Sequence, residues 1–152
     1  MFKKLSIHPE EVASLEKLPK PTVEVRTRDY RRRQCPRCRR GCYRDNRGRR
    51  SLHDLGNPRT ELPHVIEVVY SRHRCESCRL YFSADMDDLA PAGSHYTHRV
   101  IARAVRAVIE DGLPYRTASW HLWRDHRVFV PFATIQNWVE GTGEKKERGT
   151  RS

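Results

Sequence analysis

Hydrophobic and polar positions alternate from Thr22 onward. Val23 and Val25 fall on one side of the chain and Arg26 and Arg28 on the other, which predicts a strand within "TVEVRTRDYRRR". "GCYRDNRGRR" carries Asp45, Asn46 and Gly48 and predicts a turn. "RSLHDL" predicts a short strand, closed by the turn former "GNPR". The strongest strand signal is "LPHVIEVVYSRHR", where Val65, Ile66, Val68, Val69 and Tyr70 are β-branched or aromatic. "LYF" predicts one last short strand.

The period changes near Asp85. "DMDDLAPAGSHYT" reads as a linker that starts a helix. In "RVIARAVRAVIEDG", Val100, Ile101, Ala104, Val105, Val108 and Ile109 form one stripe, and Gly112 terminates it. "YRTASWHLWRDH" and "FATIQNWVEG" predict two more helices, separated only by "RVFV" and Pro131, a residue suited to a first helical turn. Residues 1–21 are charged and hold Pro9, Pro19 and Pro21. They read as a flexible lead-in with a short helix over 9–18. The polar run 142–152 reads as a disordered basic tail. The expected fold is α+β: a small antiparallel ribbon over 22–84, then a three-helix bundle of helix-turn-helix type over 85–141.

Composition sharpens this picture. Of 152 residues, 37% are hydrophobic and 32% charged, so the core is small and needs a staple, a metal or disulfides. No apolar run is long enough to span a bilayer, and the amino terminus lacks the apolar core of a secretory signal. The expectation is a cytoplasmic protein with reduced thiols, and an odd cysteine count of five agrees with it.

The cysteines supply the staple. Cys35 and Cys38 form one C-x-x-C pair, and Cys75 and Cys78 form another. Two intervening residues let a tight turn aim both sulfurs at one ion, and two such turns complete a tetrahedral site. The gap between the pairs is longer than ribbons generally use, but strands and turns fill it. The expectation is structural Zn2+ on Cys35, Cys38, Cys75 and Cys78, closed to substrate. Buried or redox-active thiols are the competing assignment. Cys42 is left over as a small side chain, and His53, His64 and His73 are the alternative ligands.

Net charge of +11 favours a polyanionic partner. Twelve arginines between Arg26 and Arg50 face two carboxylates, Asp29 and Asp45, a local balance of +10. A solvated face is the plain explanation, but the run is dense and of one sign. Arginine's planar fork suits phosphate, so Arg31, Arg32, Arg33, Arg37, Arg39, Arg40, Arg49 and Arg50 are candidate phosphate contacts. A membrane surface is disfavoured, because no amphipathic helix with bulky apolar anchors accompanies the charge.

In a helix-turn-helix, Ile135, Trp138 and Val139 face the core, opposite Trp120, Leu122 and Trp123. The other side of the third helix then carries Ala133, Thr134, Gln136, Asn137 and Glu140. Gln and Asn bond adenine edges with two hydrogen bonds, and Ala or Thr meets a thymine methyl. A plain three-helix bundle fits the periodicity equally well. An RNA-binding ribbon is the alternative function, with Tyr30, Tyr43 and Tyr81 as the aromatics a core does not claim. A protein-binding module is a third.

The order "CPRC", "RRSLHDLG", a β-rich stretch into "RHRCESC" and then "YF" resembles the amino-terminal region of insertion-sequence transposases of the ISL-three type. "GLPYRTASWHLWRDHRVFVPFATIQNWV" is similar to the helix-turn-helix of such transposases. The resemblance runs roughly from Val23 to Glu140. It implies a zinc ribbon ligated by Cys35, Cys38, Cys75 and Cys78, and a third helix that recognises transposon ends. Duplex DNA is the implied partner, with a full-length transposase or a second copy of the chain as further candidates, in a nucleoid-associated setting. The DDE catalytic domain of the family follows these regions and is not found in these 152 residues. Asp85, Asp87 and Asp88 sit in one loop ahead of a helix, where acids favour the helix dipole, and are not read as its triad. The expectation is DNA binding without catalysis.

Overall fold

The computed structural model describes residues 19–151, with side chains as far as Gly141. The lead-in helix expected over 9–18 lies outside the described residues. Five strands come first: β1 (Thr22–Arg28), β2 (Arg32–Gln34), β3 (Gly41–Asn57), β4 (Leu62–Cys75) and β5 (Leu80–Ser83). Three helices follow: α1 (His98–Ile109), α2 (Tyr115–His126) and α3 (Phe132–Arg151). The architecture is α+β.

β4 organises the sheet because its β-branched run lies along the centre. β3 pairs antiparallel along one of its edges, from Arg44 opposite His73 to Asn57 opposite Leu62. The other edge is shared. β1 runs parallel to residues 64–70, and β5 runs antiparallel to residues 72–75. β2 adds to β3 through Arg32–Tyr43 and Gln34–Gly41. The sheet is therefore mixed and larger than the small antiparallel ribbon expected. The knuckle and β3 intervene between β1 and β4, so the chain returns to β1 in the parallel sense.

The turn predicted at "GCYRDNRGRR" is strand instead, the first part of β3. Two interactions override the local turn chemistry. The register shifts between Arg44 and Asn46, so Asp45 is absorbed as a bulge. Gly48 serves close approach, since a Cβ there would meet the Tyr70 ring at 2.6 Å. The "GNPR" turn is present. Asn57 accepts at its carbonyl from the Glu61 amide and at its side chain from the Arg59 amide, and Glu61 takes φ 65°. On β1, Val23 and Val25 do share a face, but it is the open one, at 53% and 62% exposure.

Two apolar clusters hold the body together. One face of the sheet buries Leu52, Ile66 and Val68 beneath Ala90, with Met86, Leu89 and Tyr70 around them. The helices bury Val100, Ala104, Ala107, Ala118, Leu122, Val128, Val130 and Ile135, flanked by Trp138 and Val139. The expected core positions of α3 thus face inward. Trp123 is buried and Trp120 half-buried, whereas Ile109 leaves the α1 stripe at 60% exposure. Gly112, at φ 69°, lies just past α1. Pro131 sits one residue before α3, its carbonyl accepting from Thr134 and Ile135. The helical backbone of α3 continues beyond Gly141, into the run expected as a tail.

Helices and sheet are joined directly. His53 exchanges backbone hydrogen bonds with the 95–97 segment, Thr97 donates to Asp54 at 2.8 Å, and Leu55 packs on the helical cluster. The boundary expected near residue 85 therefore marks a change of secondary structure within one packed body.

Candidate functional site

Two knuckles of the same design meet at one end of the sheet. In the first, the Cys35 amide donates to the Arg40 carbonyl and the Arg39 amide to the Cys35 carbonyl, both at 2.8 Å. The Arg37 amide points at Cys35 Sγ, 3.4 Å away. In the second, the Cys78 amide points at Cys75 Sγ, also at 3.4 Å. The residue after the second cysteine is left-handed in each, Arg39 at φ 61° and Arg79 at φ 54°. β2 and β3 flank the first knuckle, and β4 and β5 flank the second. The β3–β4 pairing then closes the gap of the sequence.

The four sulfurs of Cys35, Cys38, Cys75 and Cys78 all lie within 4.8 Å of one another, and Cys38 and Cys75 are 3.5 Å apart. A tetrahedron of thiolates around one ion of zinc's size has edges of about 3.8 Å. The donor set fits, and these four cysteines could hold a metal ion. Among the described residues no other group of three or more such side chains is poised in this way.

Titration of the cluster points in the same direction. The Cys78 amide, assisted by that of Ser77, holds the Cys75 thiol down to about 6. The Cys38 amide likewise lowers Cys35. Cys78 is pushed up to about 12, chiefly through its hydrogen bond to Cys38. The protein stabilises thiolate at Cys75 and Cys35 with aimed amides, while hydrogen bonding to Cys38 and desolvation keep the proton on Cys78. A cation resolves that conflict, because it lets all four ionise.

Cys42 is not a ligand of this group. It is buried beside Cys35 and Cys75, its thiol donates to the Arg40 carbonyl, and burial raises it above the ordinary thiol range. Nor do the alternative histidines join. His53 packs on Tyr96, and His64 lies 3.6 Å from Glu24. His73 is fully buried, stacked on Phe82, with Nδ1 3.0 Å from the Cys42 carbonyl and Nε2 2.8 Å from Ser71 Oγ. A carbonyl only accepts, so Nδ1 carries the proton and the Ser71 hydroxyl donates to Nε2. Ser71 Oγ in turn accepts from the Tyr30 amide at 3.1 Å. This chain of contacts ties β4 to the first knuckle. Sequence patterning did not single it out, because one histidine in a strand carries no distinctive spacing.

The candidate phosphate contacts divide. Arg31, Arg37 and Arg39 are exposed, with no carboxylate partner among the described residues. Arg32 lies over Tyr43, Arg33 lies over Tyr30, and Arg40 donates to Ser77. Arg49 is paired with Glu67 at 2.8 Å. Arg50 is turned inward to the carbonyls of Pro91 and Ser94, at 2.6 and 2.7 Å. It holds the linker on the sheet, so its fork is engaged by protein. Arg44 and Arg47 share Asp29, and Arg28 grips Asp88 with two bonds. Arg72, Arg74 and Arg79 were missed, although all three are exposed at the same end of the sheet.

On α3, Ala133 and Asn137 are exposed, while Thr134 and Gln136 are half-buried. Gln136 donates to Glu140 at 2.9 Å. The acidic loop does not converge on one point: Asp85 accepts from the Asp87 amide, the Asp87 carbonyl meets His98, and Asp88 holds Arg28.

Compared with known proteins, the chain matches no family model, no curated protein and no solved structure. No helix among the described residues is long and apolar enough to cross a membrane.

Proposed function

We propose that these residues form a zinc-stabilised DNA-binding unit of transposase origin, working on duplex DNA at the nucleoid. The observation that carries it is the convergence of four sulfurs beneath a surface of arginines that carboxylates leave unneutralised. A four-sulfur site has no open coordination position, so its metal supplies folding energy and shape. Zinc is the ion that tetrahedral thiolate ribbons suit best.

Arg31, Arg32, Arg33, Arg37, Arg39 and Arg40 grip phosphate, and α3 offers Ala133, Thr134, Gln136 and Asn137 to base edges. The Gln136–Glu140 bond opens when the amide turns to a base. By the resemblance already given, the preferred duplex is a transposon end.

Metal analysis of purified protein is expected to find one zinc per chain. A labelled duplex is expected to bind tightly at low salt. With about six phosphate contacts, affinity falls on the order of a thousandfold between about 50 and 200 mM salt. No binding at low salt ends the proposal. Gln136→Ala and Asn137→Ala are expected to change the sequences selected from a random pool with the fold intact. Unchanged selection removes α3 as the reading element.

A further inference from the structure

The ribbon end of the sheet also exposes two tyrosines, Tyr43 and Tyr81, that the proposed duplex contacts do not use. Arg32 on β2 pairs with Tyr43 on β3, and Arg74 on β4 pairs with Tyr81 on β5. Arg44 opposes His73, so the antiparallel count places Tyr43 beside Arg74 one step on. Cys42 packed against Cys75 shows that the two strands are still adjacent there. The four residues thus form one cross-strand row, Arg32–Tyr43–Arg74–Tyr81, on the face opposite Cys42, Cys75 and Leu80.

That row faces outward. Tyr43 and Tyr81 are 64% and 65% exposed, and both arginines are exposed as well. Arg32 lies 5.6 Å from the Tyr43 ring centre and Arg74 lies 5.3 Å from that of Tyr81. These are loose, solvent-exposed cation–π contacts, worth little by themselves and easily opened. Neither arginine has a carboxylate partner among the described residues. A further pair, Arg33 4.7 Å from the ring of Tyr30, is not part of the row, because Arg33 opposes Cys42 and so belongs to the other face.

We infer that this row is a binding site for unpaired nucleotides of single-stranded nucleic acid. Bases stack on Tyr43 and Tyr81, and Arg32 and Arg74 take the backbone phosphates between them. Strands lie about 4.8 Å apart, so the row spans about 14 Å, room for a short run of nucleotides laid across the strands. A sheet face that presents aromatic rings stacks splayed bases whatever their sequence, and neighbouring guanidiniums hold the backbone. A duplex buries its base faces and cannot use the rings. The site shares with the preceding section only the polyanion assignment of the arginines and makes no use of α3.

The test is fluorescence anisotropy of the full, metal-loaded chain at fixed salt. The probes are an oligothymidine of about ten nucleotides, an abasic oligonucleotide of equal length and charge, an oligouridine, and a duplex. Oligothymidine is expected to bind about tenfold or more tightly than the abasic strand. Tyr43→Thr with Tyr81→Thr, both good strand formers at exposed positions, is expected to erase that advantage and leave duplex affinity within about twofold. Tyr43→Phe with Tyr81→Phe is expected to keep it. Oligouridine above oligothymidine assigns RNA as the ligand, and the reverse assigns DNA. Equal affinity for thymidine and abasic strands overturns the inference. So does an undiminished preference in the Thr variant with its metal content and circular dichroism intact, or polyglutamate competing as well as oligothymidine. Loss of duplex binding alone sinks the preceding proposal and leaves this one standing.

Discussion

Five thiols crowd one end of the sheet, and geometry gives them unequal roles. Cys35→Ser or Cys78→Ser is expected to abolish stoichiometric metal binding and unfold the ribbon, as read by metal analysis and thermal melting. Cys42→Ala is expected to keep one metal per chain and to cost about 1 kcal/mol of packing. His73→Phe preserves the stack on Phe82 but removes the hydrogen bonds to the Cys42 carbonyl and the Ser71 hydroxyl. The expected cost is about 1–3 kcal/mol, measured by denaturant unfolding. A pH dependence belongs to His126. Its ring is held below the ordinary imidazole range by burial first, then by Arg103, which donates to His126 Nε2 at 3.1 Å. Because the folded state disfavours protonation, this contribution is complete above the unfolded value near 6.5. It is lost as pH falls through the lower folded value. His126→Gln is expected to flatten that acid limb of a stability–pH curve.

Among elements, β4 decides the topology. One edge carries β3, and the other serves β1 along its first half and β5 along its last. The apolar face of Leu52, Ile66 and Val68 gives way near Tyr70, and burial moves to the opposite face at Ser71, His73 and Cys75. This switch of covered face lets one strand serve both the body and the metal end. β3 meets the α2–α3 connection at Gly56, where a Cβ would lie 2.6 Å from Arg127 Cβ and 2.7 Å from the Leu62 carbonyl. Gly56→Ala is expected to destabilise by about 1–3 kcal/mol through overpacking, seen as a lower Tm with helical content retained below it. Alternation identified β1 and β4. It could not show that the turn formers after Cys42 would be drawn into β3, since that depends on pairing with a strand nearly thirty residues downstream.

For the whole molecule, three clusters of buried side chains lie apart: the sulfur group, the sheet face and the helical core. Chelation of the metal is expected to release the sulfur end first, speeding amide exchange around the buried Cys42, His73 and Cys75 while the far-ultraviolet helical signal persists. If the helices melt together with the ribbon, the helical core depends on the metal for its stability. Charge is likewise unevenly used. Arg28, Arg44, Arg47, Arg49 and Arg50 are engaged by the fold, whereas Arg31, Arg37 and Arg39 around the first knuckle are exposed with no carboxylate partner among the described residues.

The sequence by itself determined the cysteine pairs, the strong β4, the three helices and the positive balance, because each is written in local spacing or in composition. Only the tertiary structure decided that both pairs meet, since strand pairing alone brings their sulfurs together across the intervening chain. It also decided which arginines remain available. Their count is a property of the sequence, but whether a carboxylate, a carbonyl or a tyrosine ring lies within reach of each is settled by register and packing.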